Sequence, residues 1–165
     1  MNKCQHLYLG CFLNRIAMTY HCHPLKASPL QILKDFFAYA PPAYHLKAFD
    51  EFCLAALHDS YCWHRGSPGN ALYYGEQLEL LIEAAYLLYW KQHRYNIRLK
   101  KQAAFLHTFF SYASLGEWKK RHHAFTAAAV SKSSVADELA AAVIYEHTAY
   151  FKKLVTVAAA IVSAS

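Results

Sequence analysis

The chain repeats itself, and this constrains its fold more than any other feature. Residues 32 to 60, ILKDFFAYAPPAYHLKAFDEFCLAALHDS, recur 73 positions later as FLHTFFSYASLGEWKKRHHAFTAAAVSKS, residues 105 to 133. Without a gap, 10 of the 29 aligned positions are identical, including Leu33 with Leu106, Phe36 with Phe109, Phe37 with Phe110, Tyr39 with Tyr112 and Phe52 with Phe125. Composition alone gives roughly two or three such matches. Two copies are too few to stand as an open solenoid, so they are expected to close on each other about an approximate two-fold axis.

The repeated unit reads as helical. Apolar residues make up 56% of the 165, while five Gly and five Pro leave little punctuation for an all-β chain. Ser28 followed by Pro29 is an N-cap with proline in the first turn, opening LQILKDFFAYA, and Pro41-Pro42 stops that helix. Pro42 can open a second helix running to about Trp63, with Leu46, Phe49, Cys53 and Leu57 on one stripe. After the loop RGSPGN, residues 65 to 70, the stretch ALYYGEQLELLIEAAYLLYW is the most clearly amphipathic. Tyr74, Leu78, Leu81, Ile82, Ala85, Leu88 and Tyr89 share one face, and Glu76, Glu79 and Glu83 lie opposite. Those carboxylates point away from the core, unlike the inward glutamates of a ferritin-like dimetal site.

The second copy follows the same plan. QAAFLHTFFSYA is its first helix, and Ser114 with Glu117 three residues on forms a capping box that starts its second. A Ser133-Ser134 turn then leads into one long helix, Val135 to about Val162, with Leu139, Val143, Tyr150, Leu154, Val157 and Ile161 on a stripe. Its identity with the third helix of the first copy is weak, and the match requires about three added residues. The expected fold is all-α: a compact bundle of six or seven helices built from two tandem three-helix repeats, about 28–91 and 101–163. These form a single domain, 28–165, preceded by an N-terminal segment, 1–27, in which Leu7, Cys11 and Ile16 have helical spacing.

Cysteine usage and hydropathy exclude several classes. Cys4, Cys11, Cys22, Cys53 and Cys62 are odd in number and form no CxxC pair, so neither a disulfide framework nor a structural zinc site is expected. Cys53 packs as a small hydrophobe in this reading, which suits a reduced, cytoplasmic protein. No run of 18 uncharged apolar residues exists, and membrane insertion is not expected. The weakly apolar LYLGCFL near the N terminus is cut off by Asn14 and Arg15, so a signal peptide is not expected either.

Charge gives the one electrostatic lead. Residues 1–90 carry 6 basic and 7 acidic side chains, residues 91–132 carry 9 and 1, and residues 133–165 carry 2 and 3. The excess positive charge therefore lies between the third helix of each copy. Lys91, Arg94, Arg98 and Lys101 fall on one stripe if the helix continues, with Trp90 and Tyr95 close by, and Lys119, Lys120 and Arg121 could extend it. Such a stripe can track a phosphate backbone, of RNA or DNA. The simpler reading is a solvated face, because bases near a helix end are what the macrodipole favours. Arg15 and His21 resemble the Arg-x(4–6)-His pair of HEPN-type RNases, which are also small helical bundles, although about one such match is expected by chance.

Histidine pairs occur at His21 with His23, His58 with Cys62, and His122 with His123, but none completes a metal set, and no metal or other cofactor is expected. Glu146 and His147 flank Tyr150 and form a candidate polar site, where a carboxylate beside an imidazole could do acid–base work. The blander account is a hydrogen-bonded contact at the core edge. No Gly-rich phosphate loop, nucleophile elbow or HExxH is present, so an enzyme is the less favoured class. The expectation is a non-catalytic helical interaction or scaffold protein that self-associates, because the alanine-rich end of the last helix is apolar almost all round. The alternative is a nucleic-acid-binding or HEPN-like RNase-type protein using the basic segment 91–132.

Overall fold

In a computed structural model of the chain, residues 28–61, 67–90 and 100–165 are described. Among them lie six α-helices: α1 Pro29–Tyr39, α2 Pro42–Leu57, α3 Pro68–Trp90, α4 Lys100–Tyr112, α5 Leu115–Val130 and α6 Ala141–Ser163. One 3-10 turn, Val135–Asp137, precedes α6, and no strand occurs among the described residues. The all-α bundle expected from the sequence is the fold observed.

Helix starts follow the local chemistry with two exceptions. Pro29, Pro42 and Pro68 each open a helix, where the missing N–H costs nothing. Ser28 occupies the cap position of α1, but its side chain makes no capping bond. Ser114 and Glu117 form the expected capping box, with Ser114 N–H donating to Glu117 Oε2 at 2.7 Å and Glu117 N–H to Ser114 Oγ at 3.3 Å. The long last helix is interrupted: Ser134 and Asp137 cap the 3-10 turn, Ala140 is extended, and α6 begins only at Ala141. α2 also stops early, at Leu57, with His58 extended.

Packing crosses between the halves. α1 packs on α3 and α4 on α6, whereas α3 lies along α5 and α6 along α2, and α2 and α5 meet in the middle. Adding 73 to the first-half numbers and subtracting 73 from the second-half numbers carries these contacts onto one another. Cys53 Sγ sits 3.9 Å from Thr148 Oγ1, and 73 positions on Thr126 sits against Gly75, the residue 73 before Thr148. Asp50 pairs with Lys152 at 2.5 Å, and the corresponding residues, His123 and Glu79, pair at 3.0 Å. The contacts between α3 and α5 and between α6 and α2 therefore keep the spacing of 73, and the three added residues expected in the last helix are not needed there. In each of these pairings residue numbers rise along one helix as they fall along the other, so the helices run antiparallel.

The core fills the junction. Phe49, Leu78, Leu81, Ile82, Trp118, Phe125, Phe151, Leu154 and Val155 are all fully buried. Phe151 is its hub, with its ring 5.7 Å from Phe49, 5.3 Å from His122 and 4.1 Å from His147 between centroids. The face predicted for α3 holds at Leu78, Leu81, Ile82, Ala85 and Leu88. That predicted for α6 is turned: Ile144, His147, Phe151, Val155 and Ala158 are buried with Leu154 and Ile161, while Tyr150 and Val157 are half-buried at its edge. The stripe of α2 is likewise shifted, with Phe52, Ala55 and Ala56 inside and Leu57 exposed. Among the described residues no helix is long and apolar enough to cross a membrane.

Candidate functional site

The candidate polar site, Glu146, His147 and Tyr150, separates into a buried part and a surface part. His147 is fully buried, stacked between Phe125 at 4.2 Å and Phe151 at 4.1 Å. Glu146 instead accepts a hydrogen bond from the hydroxyl of Tyr112, whose ring stacks on Tyr150 at 4.8 Å. One residue step along the helix places residues 146 and 147 about 100° apart, which sends one outward and one into the core. The carboxylate and the imidazole do not share a site.

His147 has a partner that the sequence did not reveal. His122, also fully buried, lies 5.9 Å away with its ring nearly parallel. Its Nε2 is 2.7 Å from the carbonyl oxygen of Gly75, and because a carbonyl can only accept, Nε2 carries the proton. Burial holds the His122 imidazole down at about 4, and burial together with the neighbouring His122 and Arg121 lowers His147 well below its ordinary range. Both rings are neutral near pH 7 and behave as flat, partly polar core residues. The approach of α5 to α3 is possible because residue 75 has no side chain: a Cβ there would stand 2.6 Å from Thr126 Oγ1.

Each half has a corresponding aromatic corner. His45 stacks on Phe36 at 4.1 Å in the first, and Trp118 stacks on Phe109 at 4.2 Å in the second. Trp118 Nε1–H donates to the Phe109 carbonyl at 3.0 Å. Burial pushes His45 down to about 4, partly offset by the carbonyls of Phe36 and Ala40 beside it. The Tyr74 hydroxyl closes the first corner by donating to the His45 carbonyl at 2.7 Å.

The basic residues are dispersed. Lys91, Arg94 and Arg98 lie outside the described residues, as do Arg15, His21, His23 and Cys62. Lys119 is held by Glu79 at 2.7 Å and Glu83 at 2.6 Å. Burial works against the charge on Lys119, but the two carboxylates outweigh it and raise its affinity for the proton. For Glu79 burial pushes upward and the bonds from Lys119 and His123 prevail, leaving it lowered. Glu79 and Glu83, which the sequence places away from the core, thus tie α3 to α5. Arg121 lies on the far side, its guanidinium 5.3 Å from the Trp118 ring and 5.5 Å from Tyr112. Lys120 and Lys101 are exposed.

Lys101 lines a groove of about 700 Å³ between α4 and α6. Its apolar lining includes Phe105, Ala149, Tyr150 and Val157, and Lys153 stands over the Phe105 ring at 5.3 Å. Cys53, by contrast, is buried, and burial pushes its thiol up to about 12, so it is not a nucleophile. No group of three or more His, Cys, Asp or Glu residues that could hold a metal ion occurs among the described residues. Compared with known protein families, characterised proteins and solved structures, the chain matches none.

Proposed function

We propose that this chain is a non-catalytic helical interaction protein that self-associates, built from two copies of one three-helix unit. The observation that carries the reading is a set of large apolar side chains at one end of the bundle: Leu54, Leu57, Leu72, Val130 and Tyr145 are 37 to 75% exposed. They share that end for a topological reason. α2 and α5 finish there, Ser134 beyond α5 donates to the carbonyl of Leu57 at 2.8 Å, and the antiparallel α3 and α6 start there. Apolar side chains gathered in this way mark association surfaces more often than scattered ones do. The alanine-rich end of α6 supports the reading less than the sequence promised, because Ala158 and Ile161 are buried and Ala159, Ala160 and Val162 are half-buried. The contacts preserved on adding 73 support the two-copy origin, and the buried free thiol of Cys53 suits a reducing compartment such as the cytoplasm.

Sedimentation at two concentrations tests self-association. A shift from monomer to dimer is expected, and it should be lost in Leu57→Asp with Tyr145→Asp; monomer alone at both concentrations refutes it. The second reading, binding of RNA or DNA, is favoured by Lys101, Lys120 and Lys153, which form no ion pair with another described residue. Salt titration of binding to a generic RNA tests it, and binding that does not weaken with salt removes it.

A further inference from the structure

The groove between α4 and α6 corresponds to a buried face in the other half. Shifting its lining by 73 leads to the face between α1 and α3, where Tyr150, Lys153 and Val157 become Gln77, Leu80 and Ala84. Those three are buried, at 4%, 7% and 0% exposure, whereas Lys153 is exposed and Tyr150 and Val157 are half-buried. The same face of the fold is closed in one half and open in the other. The open one has also changed its chemistry, with lysine standing where the closed one has leucine.

What the groove can accept follows from its walls. Phe105, Ala149, Tyr150 and Val157 give an apolar floor, and Lys101 and Lys153 stand on the rim. No carboxylate lines it, and neither lysine pairs with an acid of the described residues, unlike Lys119 and Lys152, which both do. The floor runs from Ala149 to Val157, roughly 12 Å of helix, which matches two turns of an incoming helix.

We propose that this groove docks an acidic amphipathic helix of a protein partner, apolar side chains on the floor and carboxylates against Lys101 and Lys153. The recognition is that of a helix laid in a groove, with apolar anchors at i, i+3 or i+4 and i+7. A flexible polyanion such as RNA would use the lysines but not the apolar floor, and a neutral helix would leave the rim cations unmatched. The inference rests on the interaction reading above but uses a different surface from the self-association end.

The test uses the full chain and a synthetic peptide of about 14 residues with leucine on one helical face and glutamate on the other. Fluorescence anisotropy is read against a twin peptide carrying lysine in place of glutamate, and against an oligouridylate. The acidic peptide is expected to bind, the lysine twin not to, and Lys101→Glu with Lys153→Glu to weaken binding at least about tenfold with unchanged circular dichroism. Val157→Asp, which alters the floor and leaves the lysines in place, should weaken the acidic peptide and spare any oligouridylate binding. Equal binding of both peptides, no binding of the acidic one, or binding of oligouridylate alone overturns the proposal. A chain that self-associates but ignores the acidic peptide loses only the groove assignment. One that does neither loses the interaction reading as well.

Discussion

The first and second halves of this molecule hold the same helix corner with different residues. In the first, an imidazole stacks on Phe36, and in the second an indole stacks on Phe109 and bonds its backbone carbonyl. At the next contact inward the types change again. Phe49 of the first half corresponds to His122 of the second, and Tyr74 corresponds to His147. The polar pair joining the halves changes as well, Asp50 with Lys152 against His123 with Glu79. What the two halves share is shape: flat side chains at the corner and a polar pair where helices cross. Chemical identity is free to vary so long as volume and flat shape are kept.

Substitution at the corners probes this difference most strongly. Trp118→Ala is expected to cost about 3–5 kcal/mol by urea unfolding, since it empties a fully buried site, and His45→Ala to cost less, about 1–2 kcal/mol. Equal losses would mean that the two corners contribute alike despite their residues.

Acid acts on both halves next, through His45 in the first and the pair His122 and His147 in the second. His122 and His147 are held neutral by burial and titrate near 6.5 once unfolded, so the unfolded chain binds more protons as pH falls. Stability is complete above pH 6.5 and declines toward pH 4, with His122 alone accounting for up to about 3 kcal/mol at the acid end. His122→Phe, which installs the residue of the first half, should remove its own share of that acid limb and leave those of His45 and His147. A wild-type stability that does not fall between pH 6.5 and 4 would refute the buried neutral pair.

The crossing of α3 and α5 is the third contrast. Gly75→Ala puts a methyl group against Thr126 and is expected to cost about 1–3 kcal/mol, with Thr126→Ala restoring much of it. The corresponding crossing of α2 and α6 has Thr148 against Cys53, so Thr148→Ala should be nearly silent there by thermal melting. The smallest effect belongs to the surface charges. Exchanging Asp50 and Lys152, both about half exposed, should change stability by less than about 0.5 kcal/mol. Lys119→Ala should cost somewhat more, about 1 kcal/mol, because it leaves two partly buried glutamates without their cation.

Much of the fold was legible because it is written in local signals. Prolines at helix starts, the Ser114 and Glu117 box and the 3.6-residue period of α3 each act within a turn or two. The phase of α6 was not, because Leu139, Val143, Tyr150, Leu154, Val157 and Ile161 form as good a stripe as the one actually buried. Fully buried His147 tips the balance, and periodicity counts histidine as polar. The His122 and His147 pair was equally hidden: 25 residues separate them, and only the crossed packing brings their rings together. One signal could have pointed to it, since His122 and His147 stand where the first half has Phe49 and Tyr74 at the spacing of the repeat. The fate of Lys119 needed the same long-range information, because Glu79 and Glu83 lie on the other half.

The crossed arrangement also sets a schedule for the growing chain. Cys53 meets Thr148 across 95 residues, and Phe49 stacks on Phe151, so the side of α2 that carries Phe49 and Cys53 stays without its cover until α6 has been made. At about 5–20 residues per second, that is a wait of roughly 5–20 s in which Phe49 lacks its Phe151 partner. During translation the first half is therefore a sticky intermediate rather than a finished unit, and its safety depends on how quickly the last helix arrives.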